Sequence, residues 1–123
     1  MDRIFAATCL LLAMAGPAAA APGDCTFPTI HTLDNQTVDG TMTVKSGKRC
    51  FIWLNYSHGP IFSVHIVARP SHGSLGIDAT NRIVYQPARG YTGSDSFTYA
   101  RKGLDTRNNA ITRTVRVSVT VTP

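Results

Sequence analysis

The final segment of the chain, TVRVSVTVTP, alternates between apolar and polar residues over its whole length. One set consists of valines: Val115, Val117, Val119 and Val121. The set between them is polar: Thr114, Arg116, Ser118 and Thr120. Successive side chains of a β-strand point to opposite faces. The pattern therefore predicts a strand that buries its valines, exposes its polar residues and ends at the final proline.

Strand-like alternation recurs along the chain, and no stretch after residue 21 keeps apolar residues at helical spacing over three turns. The predicted strands are TMTVK, CFIWLNY, IFSVHIVA, GSLGI, RIVYQP and DSFTYAR. TFPTIHTL adds an edge strand, limited by Pro28. CFIWLNY, apolar on both faces, is predicted to be a central strand with Trp53 in the core, joined to TMTVK by a hairpin-like turn at SGKR. Seven or eight short antiparallel strands predict an all-β sandwich.

The first residues have the layout of a secretory signal peptide. Arg3 precedes an apolar run from Ile4 to Ala15, and small residues follow up to Ala21. The apolar run is too short to cross a bilayer, which needs about 20 apolar residues. We predict a signal peptide over residues 1–21, one domain over residues 22–123, and no transmembrane segment in the mature chain. The protein is then exported, to the periplasm or the extracellular space.

Removal of the signal peptide leaves Cys25 and Cys50, and two cysteines in an exported chain predict one disulfide. A metal pair and a nucleophilic cysteine are the alternatives, and no Cys-x-x-Cys spacing supports either. The net charge is +5. A basic exported protein meets anionic envelope polymers before it meets nucleic acid, although the same charge also keeps a small domain soluble.

The stretch RPSHGSLGIDATNRIVYQPARGYTGSDSFTY resembles the second half of the bacterial Ig-like, cadherin-like repeats that occur in tandem in large surface proteins. Spaced positions carry the likeness: Pro70, Gly73, Leu75, Tyr85, Pro87, Gly93, Asp95, Phe97 and Tyr99. The resemblance implies an Ig-like sandwich that serves in adhesion, spacing or ligand binding outside the cell. We carry over no calcium sites, because these need acidic clusters with Glu and the chain contains no Glu.

The turn before DSFTY raises the hypothesis of a reactive Ser-Asp-Ser group. No Gly-x-Ser-x-Gly elbow accompanies it, so we interpret Gly93, Asp95, Phe97 and Tyr99 as a structural corner. Asp95 is expected to accept backbone N–H bonds and close its own turn. No catalytic residue is predicted.

Three histidines lie seven residues apart: His58, His65 and His72. On strands this spacing alternates faces, and an eight-residue strand separates the outer two by about 26 Å. His65 is expected to face water, because it shares a face with Ser63. No metal and no cofactor are predicted.

The candidate binding residues are basic and lie on the last two strands and the loop between them: Arg101, Lys102, Arg107, Arg113 and Arg116. Guanidinium groups suit carboxylates, sulfates and phosphates. The alternative is a solvated strand edge whose charges discourage aggregation. We predict a non-enzymatic interaction or adhesion module that binds a protein or an anionic polysaccharide. A structural or assembly role in the envelope through exposed strand edges is the alternative, followed by a small hydrolase or metal protein.

Overall fold

The computed structural model of the chain describes residues 23–55, 59–79 and 81–123. The predicted signal peptide lies outside these ranges and stays a prediction. Within them the chain forms eight strands: β1 (Cys25–Thr26), β2 (Thr37–Lys45), β3 (Cys50–Trp53), β4 (Ile61–Ala68), β5 (Gly73–Asp78), β6 (Arg82–Pro87), β7 (Gly93–Leu104) and β8 (Ala110–Thr122). No helix in these ranges is long and apolar enough to cross a membrane.

The strands form two sheets that enclose the core. One sheet has the order β1-β2-β8-β7-β4 and the other has the order β3-β6-β5. The valines of β8 lie at the interface of the sheets, together with Met42 and Val44 of β2, and all of them are buried. The all-β sandwich is confirmed, as is the orientation of the last strand.

The pairing of β2 with β8 is parallel, from Thr37 opposite Thr114 to Lys45 opposite Thr122. Every other strand pairing in the described ranges is antiparallel. Since β2 and β8 are distant in sequence, no turn between them could indicate that they are neighbours. The sandwich is otherwise antiparallel, and the sequence pattern does not indicate this one parallel pair.

The connection SGKR crosses from one sheet to the other, because β2 and β3 belong to different sheets. The predicted hairpin is wrong for that reason. The predicted central position of β3 is wrong as well, since β3 pairs only with β6 and forms an edge of its sheet. Its inner face buries Ile52, while Trp53 on the outer face is 62% exposed. Trp53 is consequently no core residue.

Bulges bend β4 at both ends of its pairing with β7. One register shift lies between Ile61 and Ser63, and the second lies between Ile66 and Ala68. Alternation alone placed Phe62 on the same face as the half-buried Val64, but Phe62 is 65% exposed. An extra residue in a bulge turns the local side chains away from strict alternation. His65 is exposed as expected.

The predicted disulfide between Cys25 and Cys50 is confirmed, with a Cα–Cα distance of 5.3 Å. It joins β1 of the five-stranded sheet to β3 of the three-stranded sheet. The predicted N-terminal edge strand exists only as the two residues of β1. Pro28 follows closely, and proline has no N–H with which to continue a ladder.

The GYTGSDSFTY stretch is a bend that leads into β7. Gly93 has a φ of 128°, a backbone conformation that residues other than glycine rarely adopt. Phe97 and Tyr99 follow on the core face and are buried. The Asp95 carboxylate accepts bonds from the N–H of Ser96 and also from groups on distant segments. Its role therefore extends beyond its own turn.

Candidate functional site

The predicted basic residues lie on three different parts of the molecule. Arg101 and Arg113 are opposite each other in the β7–β8 ladder and are 9% and 7% exposed. Lys102 and Arg116 lie on the outer face of the same sheet, where both are exposed. Arg107 lies in the exposed loop between the strands. The five residues thus form no single binding surface.

Strand alternation distinguishes the two buried arginines from the exposed basic residues. Arg101 follows Phe97 and Tyr99 at every second position, and Arg113 precedes Val115 in the same way. Both arginines therefore belong to the inward-facing series of their strands. The alternation that identified the strands could have assigned these two side chains to the interior, had it been applied to charged residues.

Two of the basic residues are paired with carboxylates of the N-terminal half. Arg113 donates from its Nε to Asp34 Oδ1 at 2.8 Å, and Arg116 donates from its Nε to Asp39 Oδ1 at 2.8 Å. The Arg116 pair is exposed, so solvent screens the attraction between its two charges. The Arg113 pair lies at the rim of the core and anchors the chain before β2.

Arg101 has neutral hydrogen-bond partners. Its Nη1 donates to the backbone oxygen of Asn55 at 3.0 Å, and its Nη2 donates to Thr32 Oγ1 at 3.2 Å. No salt bridge joins it to a carboxylate in the described part of the chain. Burial lowers the pKa of the Arg101 guanidinium, and the neighbouring Arg113 lowers it further. Arg101 is thus a largely buried cation without an acidic partner in that part of the chain.

A groove of about 480 Å³ opens beside Arg101, and we call it the Arg101 groove. One wall is the segment after β1 (Phe27 and Thr29–Thr32), and the other is the end of β3 with the two residues that follow it (Ile52–Asn55). Tyr99 and Arg101 of β7 complete the lining. The groove therefore combines apolar and aromatic surface with one cation, as small-ligand and peptide sites commonly do.

The wall formed by residues 27–32 contacts the five-stranded sheet. The side chain of Ile30 lies over Gly40 of β2, where a Cβ atom would come within 3.0 Å of Ile30 Cδ1. Asn35 donates its N–H to the backbone oxygen of Thr112 at 2.8 Å. These contacts attach the segment to β2, and the residues that follow it to β8, in the five-stranded sheet.

Trp53 stands at the mouth of the groove. The Arg82 guanidinium carbon lies 5.1 Å from the centre of the indole ring and 4.8 Å from the centre of the Phe51 ring. Arg82 also pairs with Asp78. Phe51 and Trp53 therefore pack against Arg82 on the outer face of the three-stranded sheet and not in the core. The indole is accessible for stacking against a ligand.

The histidines are separated from one another. His65 lies on the outer face of β4, His72 stacks on Tyr91 with ring centres 4.2 Å apart, and His58 lies outside the described residues. His31 lines the Arg101 groove. In the ranges that the structure describes, no group of three His, Cys, Asp or Glu side chains could hold a metal ion.

The Ser94-Asp95-Ser96 group has a structural role, because the Asp95 carboxylate is used in hydrogen bonds within the fold. Both oxygens of Asp95 accept bonds, from the N–H groups of Ser71, His72 and Ser96 and from the hydroxyl of Tyr85. The bonds come from three backbone N–H groups and one tyrosine hydroxyl, and both serines that flank Asp95 are exposed. These bonds support the interpretation of this stretch as a corner.

The family comparison covers almost the whole described chain. A family model described as a bacterial Ig domain matches residues 20–120. The match includes the N-terminal half, which carries the disulfide and both walls of the Arg101 groove. A search of curated proteins finds no matching relative.

Proposed function

Because this chain belongs to the bacterial Ig domain family, which points to a non-enzymatic surface module, we propose that it is an exported interaction module that holds an anionic partner. The partner belongs to the cell envelope or the cell surface, and it binds in the Arg101 groove. The disulfide supports export, since such bonds persist in oxidising compartments. The periplasm and the extracellular space both satisfy that condition.

The observation that carries this proposal is the position of the Arg101 guanidinium. A buried charge is unfavourable unless an opposite charge and hydrogen bonds compensate for it. Arg101 has hydrogen bonds to Asn55 and Thr32 but no paired carboxylate in the described ranges. An anionic group in the groove supplies the missing charge. The guanidinium fork also favours carboxylates and phosphates over neutral ligands.

The proposal is tested with two anionic probes of different chemistry. Hexagalacturonate represents an acidic polysaccharide and a short Asp-containing peptide represents a protein, with maltohexaose as the neutral control. Trp53 is the only tryptophan of the chain, so its fluorescence reports ligands at the mouth of the groove. We expect at least one anionic probe to bind, with an affinity that falls between about 0.05 and 0.5 M salt.

Charge-removal variants locate the site. Arg101→Gln is expected to lower the affinity roughly tenfold or more, because it removes a desolvated charge from the contact. Lys102→Gln and Arg107→Gln remove the same charge outside the groove and are expected to change the affinity less than about threefold. Loss of binding in Arg107→Gln with full binding in Arg101→Gln would place the site on the β7–β8 loop and contradict the proposal.

A second candidate function, assembly through a strand edge, is favoured by β4. This strand pairs only with β7, and its exposed residues include Phe62 and Val67, which are 65% and 56% exposed. No Lys, Arg, Asp or Glu lies within β4, although such charges commonly protect strand edges. The bulges at its ends restrict any new pairing to the middle of the strand.

Sedimentation measurements test this second candidate. Assembly predicts concentration-dependent association that high salt does not weaken and that His65→Lys, in the middle of β4, weakens, because a charge added to a strand edge opposes edge-to-edge pairing. Thr41→Lys, on the outer face of β2, is the matched control. A monomer at all concentrations, in low and in high salt, would exclude self-assembly through β4.

A further inference from the structure

The strand β3 leaves one edge open along the Arg101 groove. Leu54 donates its N–H to the backbone oxygen of Asn81 at 2.8 Å, and Ile52 is opposite Ile83 two residues earlier. In an antiparallel ladder, pairs with and without hydrogen bonds alternate. Trp53 and Phe51 therefore direct their backbone N–H and C=O groups away from β6, toward the open edge.

No other strand covers that edge in the described part of the chain. β3 is the last strand in its sheet, and the segment that faces it across the groove is not a strand. Pro28 ends the pairing that β1 begins, because it lacks an N–H. No backbone hydrogen bond outside the strand ladders joins residues 27–32 to β3. Exposed backbone donors and acceptors of this kind form a template for an added strand.

Arg101 lies at the end of the same edge. The backbone oxygen of Asn55, two residues beyond Trp53, points to the same side and accepts a bond from Arg101 Nη1 at 3.0 Å. A chain that runs beside β3 and past Trp53 would therefore come next to the Arg101 guanidinium. The inward-facing side chains of that added chain would meet Ile52, Leu54 and Tyr99, which are buried and apolar or aromatic.

We propose that the Arg101 groove binds an extended peptide segment of a partner protein, which adds as a strand to the free edge of β3 and places an Asp or Glu side chain against Arg101. This inference rests on the proposed function, and it names the ligand class. A peptide fits the site better than a sugar, because its N–H and C=O groups repeat with the period of the open edge. The apolar walls and Arg101 then determine which side chains the peptide can have at its inward-facing, alternate positions.

The experiment uses seven-residue peptides in which Thr alternates with Val and one central Val is replaced by Asp or, as the neutral control, by Asn. We expect the Asp peptide to bind at least about tenfold more tightly than the Asn peptide. A third peptide with N-methyl groups at all of its amides cannot donate to the open edge and is expected to lose binding. Arg101→Gln should remove the preference for Asp, while Lys102→Gln should retain it.

Hydrogen exchange of the intact protein gives a readout that needs no variant. The amide protons of Phe51 and Trp53 are expected to exchange roughly tenfold more slowly when the Asp peptide is bound. The amide proton of Ile52, already within the β3–β6 ladder, is the internal control and should change little. Such slowing identifies strand addition, since a ligand that contacts only side chains leaves the open edge exposed.

The outcomes separate this inference from the proposed function. Peptide binding without slower exchange at Phe51 and Trp53 would overturn strand addition. Binding of hexagalacturonate through Arg101, with no binding of any peptide, would also overturn it while leaving the anionic groove in place. Absence of binding by both classes of probe at about 1 mM would contradict both proposals.

Discussion

Asp95 connects segments that are distant in sequence. Its carboxylate accepts the N–H groups of Ser71 and His72, before β5, and the hydroxyl of Tyr85 in β6 at 2.7 Å. It also accepts the N–H of Ser96 beside it. One buried side chain thus joins the start of β7 to the opposite sheet.

Replacement of Asp95 by Ala is predicted to lower the free energy of unfolding by about 3 kcal/mol. The reason is that buried donors would lose an ionised acceptor, and such groups are costly when unsatisfied. This exceeds the effect of about 1 kcal/mol expected if the residue only capped its own turn. Urea unfolding measures the change, with exposed Asp39→Ala as the matched control. A loss no larger than that of Asp39→Ala would contradict the connecting role.

Buried tyrosines make stability sensitive to alkaline pH. Burial raises the pKa of Tyr99 to about 12, against an ordinary value of about 10. Burial also raises the pKa of Tyr85, and its hydrogen bond to Asp95 raises it further. The folded protein therefore holds these phenolic protons more tightly than the unfolded chain does. The contribution of the two tyrosines to the free energy of unfolding is complete below about pH 10. It is lost as the pH rises toward 12.

Urea midpoints measured between about pH 8 and 11.5 test this dependence. We expect a plateau up to about pH 10 and a steep fall above it, with a shallower fall for Tyr99→Phe. Phenylalanine fills nearly the same volume and does not ionise. Equal slopes for the two proteins above pH 10 would show that Tyr99 does not contribute.

At the scale of elements, β4 and β7 approach each other closely where β4 begins. A Cβ atom on Gly103 would collide with the backbone carbonyl of Pro60. This contact leaves room for glycine alone, and it positions the end of β7 beside the edge strand. Gly76 in β5 differs, because a Cβ atom there would have no neighbour within 4 Å among the atoms described.

These two glycines form a matched pair. Gly103→Ala is predicted to lower the free energy of unfolding by about 2 kcal/mol, because the backbone must move to admit the methyl group. Gly76→Ala is predicted to change it by less than about 1 kcal/mol, or to stabilise the protein by restricting the unfolded chain. Thermal unfolding of both variants measures the difference. Equal effects of the two substitutions would contradict this account of the β4–β7 contact.

At the scale of the whole molecule, the two sheets are joined covalently at one side. The disulfide connects the short β1 to the edge strand β3 across a sequence separation of 25 residues. The same side of the sandwich contains the Arg101 groove, whose walls begin just after Cys25 and Cys50. The disulfide therefore holds the starting points of both walls at a fixed separation.

Replacement of both Cys25 and Cys50 by Ala is predicted to lower the free energy of unfolding by roughly 3 to 4 kcal/mol, mainly by freeing the unfolded chain. Urea unfolding with and without a reducing agent measures the effect. The reductant should destabilise the natural protein by a similar amount and leave the double variant unchanged. A reductant effect on the double variant would indicate a cause other than this disulfide.

The sequence by itself determined the class of fold. The alternation in β8 and β7 assigned the core faces correctly, the two cysteines identified the disulfide, and the glycines and Asp95 identified a turn that leads into β7. Each of these features depends on local backbone geometry or on residue chemistry. Such features can be deduced from neighbouring residues, because the two-residue period of a strand is a local property.

Only the tertiary structure decided which strands are neighbours and what their edges face. The parallel pairing of β2 with β8, the edge position of β3 and the exposure of Trp53 all depend on contacts between segments distant in sequence. The same contacts supply Arg101 with its partners Thr32 and Asn55. Hydrogen bonding at a strand edge is not encoded in the pattern of that strand, and the Arg101 groove exists because one such edge has no neighbour in the described chain.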